Sequence, residues 1–496
     1  MISKIKKLLK KIYLSKWFIV LIIIIGSAIR LRQYLFNRSL WLDEAMLSLN
    51  IIRYNYLDLL KPLDYGQTAP PLFLLITKFF TEIFGYSEYV FRFLPLIAGI
   101  ASLVLLWYLA NKILHKFLVP IAVGLLAFSR YAIYYSNEFK QYSVDLMVTI
   151  IIFILAIYIY EKNFDLKSNL LLGFLGALLI FLSHPSIFIL VTASVSLVLS
   201  VFFKEKLKGA KKIGYILSTS LFWIISFVIY YLFVIRIALP GRRAVEFFQL
   251  GFAPLITSIN DLLWYQNIML GLIKSPLYIY APDIAILMIL GGIIGFYRKK
   301  DKIFFLLMIL PLLILLIASF FKFYSIQGRL LLFSLSIFYL LIAKGLEEFY
   351  FSISSKKIIA TLLLILLLFY QPLNYSFKVL FQPELKEETR PLIEYYQKFK
   401  SGEDKIYVYY STEPAFLHYT RDTNEEFELL LDRSFRGKAY KHLDELENLV
   451  GEGRVWFIFS HIYGDEEKIV IEKLDGLGQR LDYVGKTGAR LYLYNF

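Results

Sequence analysis

The feature that most constrains this chain is a series of long apolar segments. A helix needs about 20 mainly apolar residues to cross the hydrocarbon core of a bilayer. Twelve candidate segments occur: 15–36, 70–84, 91–113, 117–135, 142–160, 168–184, 186–203, 213–236, 282–297, 303–321, 330–346 and 357–373. Hydrophobic residues make up 58% of the chain, more than a soluble globular domain contains. The pattern predicts a polytopic α-helical membrane protein.

Basic loops predict the orientation of the spans, because cytoplasmic loops contain an excess of Lys and Arg. The basic stretches expected in the cytoplasm are the N-terminus, 204–212, 298–302 and 356–357. Seven candidates precede residue 204, and an odd number of crossings cannot return the chain to the same side. Segment 70–84 is short, opens with two prolines and contains Lys78 and Glu82. We expect it to lie on the outer surface, with a re-entrant segment elsewhere as the alternative, so about eleven transmembrane helices remain.

This count predicts a multi-pass protein of the cell membrane with a cytoplasmic N-terminus. The transmembrane domain is expected over 1–377, and a C-terminal extracytoplasmic domain over 378–496. The outer face then receives the first outer loop at 37–90 and the later segments 136–141, 184–185, 237–281 and 322–329. The N-terminal lysines before an apolar run also resemble a signal peptide, but the merging of that run into Arg30-Leu31-Arg32 favours an uncleaved first span.

The C-terminal segment predicts a small α/β domain. Its β-rich runs, bounded by glycine and charge, are typical of strands, and other stretches have helical spacing. The predicted elements are strands at 405–410 and 454–460, helices at 413–419 and 466–474, and a hairpin formed by 479–484 and 489–496.

Composition excludes several classes of site. The chain has no cysteine, which excludes disulfides, thiolate metal sites and cysteine nucleophiles. Its five histidines form no HExxH motif, so no metal cofactor is implied by the sequence. The net charge of +15 lies largely in short loops between apolar runs. There it indicates topology and affinity for anionic membrane lipids rather than nucleic acid.

Two adjacent carboxylates, Asp43 and Glu44, follow Trp41 just past the first span. One interpretation is structural: Asp43 caps a surface helix over 45–53, and Glu44 occupies its first turn. The functional interpretation is a general base with a neighbour that orients it. We therefore treat Asp43 and Glu44 as the candidate catalytic residues.

Charged residues recur at the other outer span ends. Glu88 and Arg92 have the spacing of an i, i+4 ion pair, but an arginine at an outer helix end also indicates an anion to bind. Glu138 and Lys140 are expected on different sides of a helix. Asp145 lies about one turn into the following span, where ionisable groups usually face a cavity.

Three further positions belong to the predicted outer face. His184 precedes Pro185 at an outer turn, where a lone histidine is more often structural. Arg329 begins a span on the outer side, and Arg242-Arg243 lie in an outer loop. Together with Arg92 and Lys140, these cations can bind a phosphate at the membrane surface, and contact with lipid headgroups is the alternative.

This combination fits the transfer of a sugar from a membrane-embedded phosphate. A carboxylate removes the proton from an acceptor hydroxyl, and the hydroxyl oxygen attacks the anomeric carbon of the sugar. The lipid phosphate leaves as an anion, so it needs cationic stabilisation more than a general acid.

With these residues in view, the chain resembles the GT-C type membrane glycosyltransferases. It is most similar to the protein O-mannosyltransferase and aminoarabinose-transferase group, family 39 and its relatives. The resemblance rests on SLWLDEA at 39–45, QTAPPLFLL at 67–75, SEYVFRFLPLIAG at 87–99, YYSNEFKQYSVD at 134–145 and the turn at His184.

The resemblance implies a polyprenyl- or dolichyl-phosphate sugar donor, inversion at the anomeric carbon and an extracytoplasmic site. It implies that Asp43 is the base and that Arg92 matches a family arginine. Lys140 stands where many relatives have arginine, in a Glu-x-Arg-x-Tyr pattern that places Glu138 and Tyr142 beside it. Thr68-Ala69 replaces the Glu-Lys of aminoarabinose transferases, which argues against that activity and against its metal site.

Two other classes of function compete with a glycosyltransferase. The first is a transporter or flippase of lipid-linked saccharides, but transporters tend to have inverted repeats and broken helices near the midplane, and neither is evident here. The second is a scaffold that presents the C-terminal domain, which would not need Asp43, Arg92, Lys140 and Arg329 on one face. Neither the sugar nor the acceptor is specified by the sequence.

Overall fold

The computed structural model describes residues 16–205, 209–236, 249–352, 357–402, 404–423, 425–431 and 443–496. The membrane portion contains α1 (Lys16–Leu35), α2 (Leu42–Arg53), α3 (Pro71–Phe84), α4 (Glu88–Ile113), α5 (Val119–Ala127), α6 (Arg130–Tyr135), α7 (Tyr142–Glu161), α8 (Leu166–Leu182), α9 (Ser186–Glu205), α10 (Ala210–Tyr230), α11 (Ile259–Leu272), α12 (Pro282–Arg298), α13 (Lys302–Phe320), α14 (Leu335–Ser352) and α15 (Lys357–Phe381). Arg242-Arg243 and the basic stretches at the N-terminus, 206–208 and 353–356 lie outside the described residues.

The described helices confirm a polytopic membrane fold. Eight of them are long and apolar enough to cross a bilayer, and a ninth span is possible if the bent pair 259–277 and 282–298 counts as one. The predicted spans 117–135 and 168–184 are also helical, but shorter: the first is divided into α5 and α6, and α8 has 17 residues. Including these two, the number of apolar helical regions among the described residues is roughly consistent with the predicted eleven spans.

Segment 70–84 folds as α3, whose 14 residues begin at Pro71. Proline is favoured at the first helical position because its missing N–H would have no helical acceptor there. At 1.5 Å per residue α3 is roughly 21 Å long, which is shorter than the roughly 30 Å hydrocarbon core. It packs against α4 and α8, and Lys78 donates a hydrogen bond to the carbonyl of Ile51 at the end of α2.

The helix bundle has two chemically distinct ends. At one end the loops predicted as cytoplasmic meet: Lys112 pairs with Glu161 at 2.8 Å, and Tyr160 donates to Asp301 at 2.7 Å. Lys299 also donates to the carbonyl of Ile113 there. The described positions predicted on the outer face lie at the opposite end, where the C-terminal domain contacts the loop before α2.

The region between α10 and α12 departs from the sequence prediction. It was expected to be an outer loop over 237–281, but its described part contains α11, which is bent by 97° from α12. Ser258 caps α11 by accepting a hydrogen bond from the N–H of Asp261. The sequence reasoning missed this helix because Asp261, Gln266 and Asn267 interrupt its apolar pattern.

The C-terminal domain has a five-stranded mixed sheet with the order β2-β1-β3-β5-β4. Its elements are α16 (Arg390–Phe399), β1 (Lys405–Tyr409), α17 (Glu413–Thr420), β2 (Glu428–Leu430), β3 (Arg454–Ser460), α18 (Glu466–Leu477), β4 (Gln479–Lys486) and β5 (Ala489–Asn495). Side chains alternate along a strand, so Phe457 and Phe459 of β3 enter one core, and Trp456 and Ile458 the other. The predicted strands, helices and closing hairpin are present, whereas α16 and β2 were missed.

The C-terminal domain is fastened directly to the first outer loop. Tyr419 accepts a hydrogen bond from the N–H of Leu40 at 2.7 Å, and His418 lies 2.9 Å from the Ser48 hydroxyl. Helix α15 ends at Phe381, and the chain then passes through 384–389 along this end of the bundle before α16 begins at Arg390. This end of the bundle is therefore built from both parts of the molecule.

Candidate active site

The two adjacent carboxylates lie in the first turn of α2. This helix begins at Leu42 with Trp41 in the N-cap position, so the interpretation of Asp43 as the N-cap is wrong. Asp43 and Glu44 are instead the second and third helical residues, where the helix dipole favours negative charge. Successive residues of a helix point about 100° apart, and the two side chains consequently have different surroundings.

Glu44 is completely buried and fully engaged. Its carboxylate accepts two hydrogen bonds from Arg92, from Nε at 2.8 Å and from Nη2 at 2.7 Å. A third comes from the backbone N–H of Phe139 at 2.6 Å. Burial opposes ionisation of Glu44, but the charge and hydrogen bonds of Arg92, the charge of Arg38 and the Phe139 N–H lower its pKa below the ordinary value.

Arg92 completes this arrangement with its remaining donors. Nη1 donates to the carbonyl of Arg38 at 2.7 Å, and Nη2 donates to that of Ser39 at 3.0 Å. The arginine is only 3% exposed. Arg92 therefore holds the loop before α2 against α4, and it does not form an ion pair with Glu88 as its spacing allowed.

Glu88 is directed to the C-terminal domain instead. Its carboxylate accepts from Arg390 at 2.6 Å and from the Tyr419 hydroxyl at 3.1 Å. Arg390 also donates to the carbonyl of Asn37 at 2.7 Å. Glu88 is thus a docking residue, and it is separated from Asp43 by the buried Glu44–Arg92 pair.

Residues 136–141 form a turn between α6 and α7, so the expectation that Glu138 and Lys140 project from a helix is wrong. The turn packs closely on α4, because a Cβ at Gly99 would lie 2.0 Å from the Ser136 hydroxyl oxygen. Only glycine permits this approach. It places the Phe139 N–H on Glu44, and Glu138 and Lys140 on the two sides of that contact.

Asp43 lies at the open edge of the cluster. Its Oδ2 is 2.8 Å from Nη1 of Arg329, and the two side chains are 19% and 29% exposed. Burial would raise the pKa of Asp43, but the positive charges of Lys140, Arg329 and Lys386 together lower it. Asp43 is therefore ionised at neutral pH.

Aromatic rings orient the cations beside Asp43. The Arg329 guanidinium lies 5.6 Å from the centroids of both Trp41 and Tyr142, within the range of cation–π attraction. Lys140 donates to the Gln67 side chain at 2.6 Å, and burial lowers its pKa even though Asp43 opposes that shift. Four positions that the sequence analysis singled out therefore lie close together: Asp43, Lys140, Tyr142 and Arg329.

Glu138 and Arg38 form a buried pair behind Asp43. Their nearest charged atoms are 3.7 Å apart, and within the described residues neither oxygen of Glu138 has a hydrogen-bond partner. Burial and the neighbouring charge of Glu44 raise the pKa of Glu138 against the opposing charges of Lys386 and Arg38. The sequence reasoning missed Arg38, although it precedes the acidic pair by only five residues.

Asp145 and His184 lie on a second side of Tyr142. Asp145 is buried beside Ser183, and across the described chain no hydrogen bond to its Oδ1 is present. His184 Nδ1 is 2.5 Å from the Tyr230 hydroxyl, and burial lowers the histidine pKa to about 4. These two residues extend the polar surface away from Asp43 but do not contact it.

Lys386 is the main site residue that the sequence reasoning missed. It comes from segment 384–390 and places its ammonium group over the ring of Trp41. Burial lowers its pKa to about 8, against the charges of Glu138 and Glu387. The available signal was a basic residue in a charged stretch directly after the last span, on the face predicted to be extracytoplasmic, where positive charge is disfavoured.

No metal centre is evident in the part of the chain that the structure describes. Within those residues, no group of three or more His, Cys, Asp or Glu side chains is placed to hold an ion. The carboxylates instead contact arginine and backbone N–H groups.

Part of the chain matches a known protein family, and the whole chain resembles solved structures. Residues 68–231, about a third of the chain, match the family described as dolichyl-phosphate-mannose-protein mannosyltransferase. The curated protein sequences contain no match. Among solved structures, the chain is similar to ArnT from Cupriavidus metallidurans in the apo state, with a TM-score of 0.56, 9% identity and coverage of 97% of this chain and 98% of that one.

Two further structures have the same architecture. ArnT bound to undecaprenyl phosphate gives a TM-score of 0.56 at 10% identity, again with 97% and 98% coverage. The Archaeoglobus fulgidus oligosaccharyltransferase in the apo form gives 0.51 at 12% identity, with 95% of this chain and 70% of that chain covered. The chain has the GT-C fold.

This result confirms the predicted GT-C resemblance and the membrane class of the fold. At these identities the structural likeness shows the fold alone. The family match covers α3 to α10 and includes Arg92, Lys140 and His184, but it begins after Asp43 and Glu44. The matched segment therefore does not include the acidic pair, and only the surroundings of Asp43 and Glu44 bear on their role.

Proposed function

We propose that this protein is a glycosyltransferase that moves a sugar from a polyprenyl-phosphate donor to an acceptor hydroxyl at the extracytoplasmic membrane face. The family matched by residues 68–231 is named for a dolichyl-phosphate-mannose donor, and one ArnT structure holds undecaprenyl phosphate. Both support a lipid phosphate as the donor's carrier. The acceptor is a protein, lipid or glycan hydroxyl.

The observation that carries this proposal is the Asp43–Arg329 pair. It joins an ionised carboxylate to a cation at 2.8 Å, and both side chains remain partly accessible. A general base must be unprotonated and within reach of the acceptor. Asp43 meets the first requirement through its lowered pKa, whereas Glu44 has no accessible surface. We assign base catalysis to Asp43 and its orientation to Glu44.

The reaction follows from these positions. Asp43 takes the proton of the acceptor hydroxyl while the hydroxyl oxygen bonds to the anomeric carbon. The bond between that carbon and the phosphate oxygen breaks, and its electron pair leaves with the phosphate. Direct displacement inverts the anomeric carbon. Arg329 and Lys140 stabilise the phosphate, since cations placed where charge develops lower the barrier.

Arg92 receives a different role from the one expected. Its donors are occupied by Glu44 and two backbone carbonyls, so we propose that it positions the loop before α2. Glu138, Tyr142, Asp145 and His184 form the polar surroundings in which the sugar can lie. The lipid chain of the donor occupies the membrane beside the bundle.

The catalytic assignment is tested by transfer from a panel of polyprenyl-phosphate sugars with purified full-length protein. We expect Asp43→Asn to lower the rate by about 10²- to 10⁴-fold, the usual contribution of a general base. Asp58→Asn is the matched control, because this carboxylate lies in the same predicted outer loop and pairs with the exposed Lys61. Unchanged transfer by Asp43→Asn contradicts the catalytic assignment. Movement of the donor across a vesicle membrane without its consumption indicates a transporter instead.

Orientation is tested by cysteine labelling, for which the cysteine-free chain is well suited. Lys61→Cys probes the first outer loop, and Lys162→Cys probes the opposite end of the bundle; both positions are exposed. We expect an impermeant reagent added outside intact cells to label position 61 and not position 162. The reverse pattern rejects the extracytoplasmic placement of the site.

A further inference from the structure

We propose that Lys386 is a ligand of the donor's phosphate group, so that the C-terminal domain completes the phosphate site of the membrane domain. This inference rests on the proposed function. It concerns a residue that lies 343 positions after Asp43 in the chain.

Segment 384–390 is hydrogen-bonded to residues 39–42, which lead into the acidic pair. The Glu387 carboxylate accepts the N–H of Leu42 at 3.0 Å, and Glu388 accepts the N–H and hydroxyl of Ser39 at 3.2 and 3.1 Å. These contacts lie directly after Lys386 in the chain. They fix its backbone at the start of α2, one residue from Asp43.

The closing hairpin of the C-terminal domain supports the segment from the other side. Glu388 donates its N–H to the carbonyl of Thr487 at 2.8 Å. At Gly488 the backbone has a φ of +67°, and a Cβ there would lie 2.2 Å from the carbonyl oxygen of Lys386. Only glycine fits both the dihedral angle and the contact. The folded C-terminal domain therefore fixes the backbone position of Lys386.

The charge balance around Lys386 calls for an anion. Apart from the Glu44–Arg92 pair, the site gathers Arg38, Lys140, Arg329 and Lys386 around the carboxylates Asp43, Glu138 and Glu387. Four cations thus face three carboxylates, and burial favours the neutral form of Glu138. An unbalanced buried charge is costly, whereas a phosphate group with one or two negative charges removes the imbalance.

Lys386 itself is available for such a ligand. Within the described residues its ammonium group has a ring contact with Trp41 but no hydrogen-bond acceptor. Arg329 lies against the same indole. Trp41 therefore keeps two cations beside Asp43, at the place where the donor's phosphate would leave.

The charged groups around Lys386 predict how phosphate binding depends on pH. Glu138 and Glu387 favour its charged form, whereas Arg38, Arg329 and burial oppose it, and the pKa is about 8. A phosphate monoester is already fully ionised above about pH 7. Binding of such a ligand should thus weaken as pH rises through 8, because Lys386 loses its charge and the ligand does not change.

The experiment measures binding of undecaprenyl phosphate to purified full-length protein in nanodiscs between pH 7 and 9.5. At pH 7 we expect Lys386→Ala to weaken binding by about 10- to 100-fold, the effect of losing one charge-assisted hydrogen bond. Lys386→Arg should retain binding and keep it beyond pH 8, where the wild type weakens. Lys398→Ala, a change of an exposed lysine in the same domain, should match the wild type.

The outcomes separate this inference from the proposed function. Wild-type protein that does not bind the lipid phosphate contradicts both. Wild-type binding with an unchanged Lys386→Ala variant rejects only the role of Lys386. A loss of affinity above pH 8 that persists in Lys386→Arg also rejects it, because it assigns the titration to Lys140. Equal unfolding temperatures of Lys386→Arg and wild type confirm that both are folded.

Discussion

Asp43 and Glu44 are neighbours in sequence, yet they belong to two different halves of the charge cluster around the acidic pair. The closed half contains Glu44, Arg92 and the Phe139 N–H, and its side chains are 0–3% exposed. The open half contains Asp43, Arg329, Lys140 and Lys386, and the Asp43–Arg329 pair is 19–29% exposed. The pKa of both carboxylates is lowered, but different kinds of partner lower it.

One helical turn therefore contains two carboxylates with different roles, a structural one at Glu44 and a candidate catalytic one at Asp43. In the closed half, a bidentate arginine and a backbone donor saturate the carboxylate, and no further ligand can be accepted. In the open half, three cations from three other segments surround the carboxylate of Asp43. Lys140 comes from the turn at 136–141, Arg329 from the segment Gly328–Ser334 before α14, and Lys386 from segment 384–390. A ligand entering there can contact several chain segments at once.

The largest expected effect on stability is from Glu44→Gln. Breaking a buried ion pair leaves Arg92 charged and unpaired, which costs about 3–5 kcal/mol. Thermal unfolding of the purified variants should show a much larger loss for Glu44→Gln than for Asp43→Asn. Similar losses for the two variants would contradict the division into closed and open halves.

The pH dependence of that stability has a defined sign. Because folding lowers the pKa of Glu44, its stabilising contribution is present above its unfolded pKa of about 4.3. The contribution is lost as pH falls through the lower folded value. The difference in unfolding temperature between wild type and Glu44→Gln should hence shrink below about pH 4, with Asp58→Asn as the control for general acid effects.

The location of both halves, but not the pairing of their residues, can largely be predicted from the sequence. The apolar segments, the basic loops and the crossing count place Asp43, Arg92, Lys140 and Arg329 at one end of the bundle. The partners cannot be predicted this way. Glu88 and Arg92 have ideal helical spacing, yet each pairs with a residue from another part of the chain.

The open half shows why local patterns have a limit. Lys386 enters the site only because two carboxylates after it bind backbone N–H and hydroxyl groups of residues 39–42. That contact depends on the fold of a separate domain. Glu138 and Lys140 similarly depend on a turn whose position is set by the absence of a side chain at Gly99, which helical periodicity does not reveal.

The smallest stability effect, and the sharpest test of the comparison, is expected from Arg329. Its pair with Asp43 is partly exposed, and Lys140 and Lys386 still offset the charge of Asp43 when Arg329 is removed. The cost should thus be well below the about 3–5 kcal/mol of a fully buried pair. Arg329→Gln should therefore unfold close to the wild-type temperature, yet transfer should fall by about 10- to 100-fold, because a charge-assisted contact to the phosphate is lost. Arg329→Lys restores the charge but not the planar guanidinium group. Its transfer rate should lie between those of the wild type and Arg329→Gln.

The pH profile of the same variants adds an independent readout. Arg329 helps to lower the pKa of Asp43, so its removal moves the acid limb of the transfer rate to higher pH. Arg53→Gln is the matched control, since Arg53 lies at the other end of α2, where it contacts the exposed Asp64 at 4.0 Å and the Tyr65 side chain. If Arg329→Gln destabilised the fold as strongly as Glu44→Gln and left transfer unchanged, Arg329 would belong to the closed half, and Asp43 would lose its main catalytic partner.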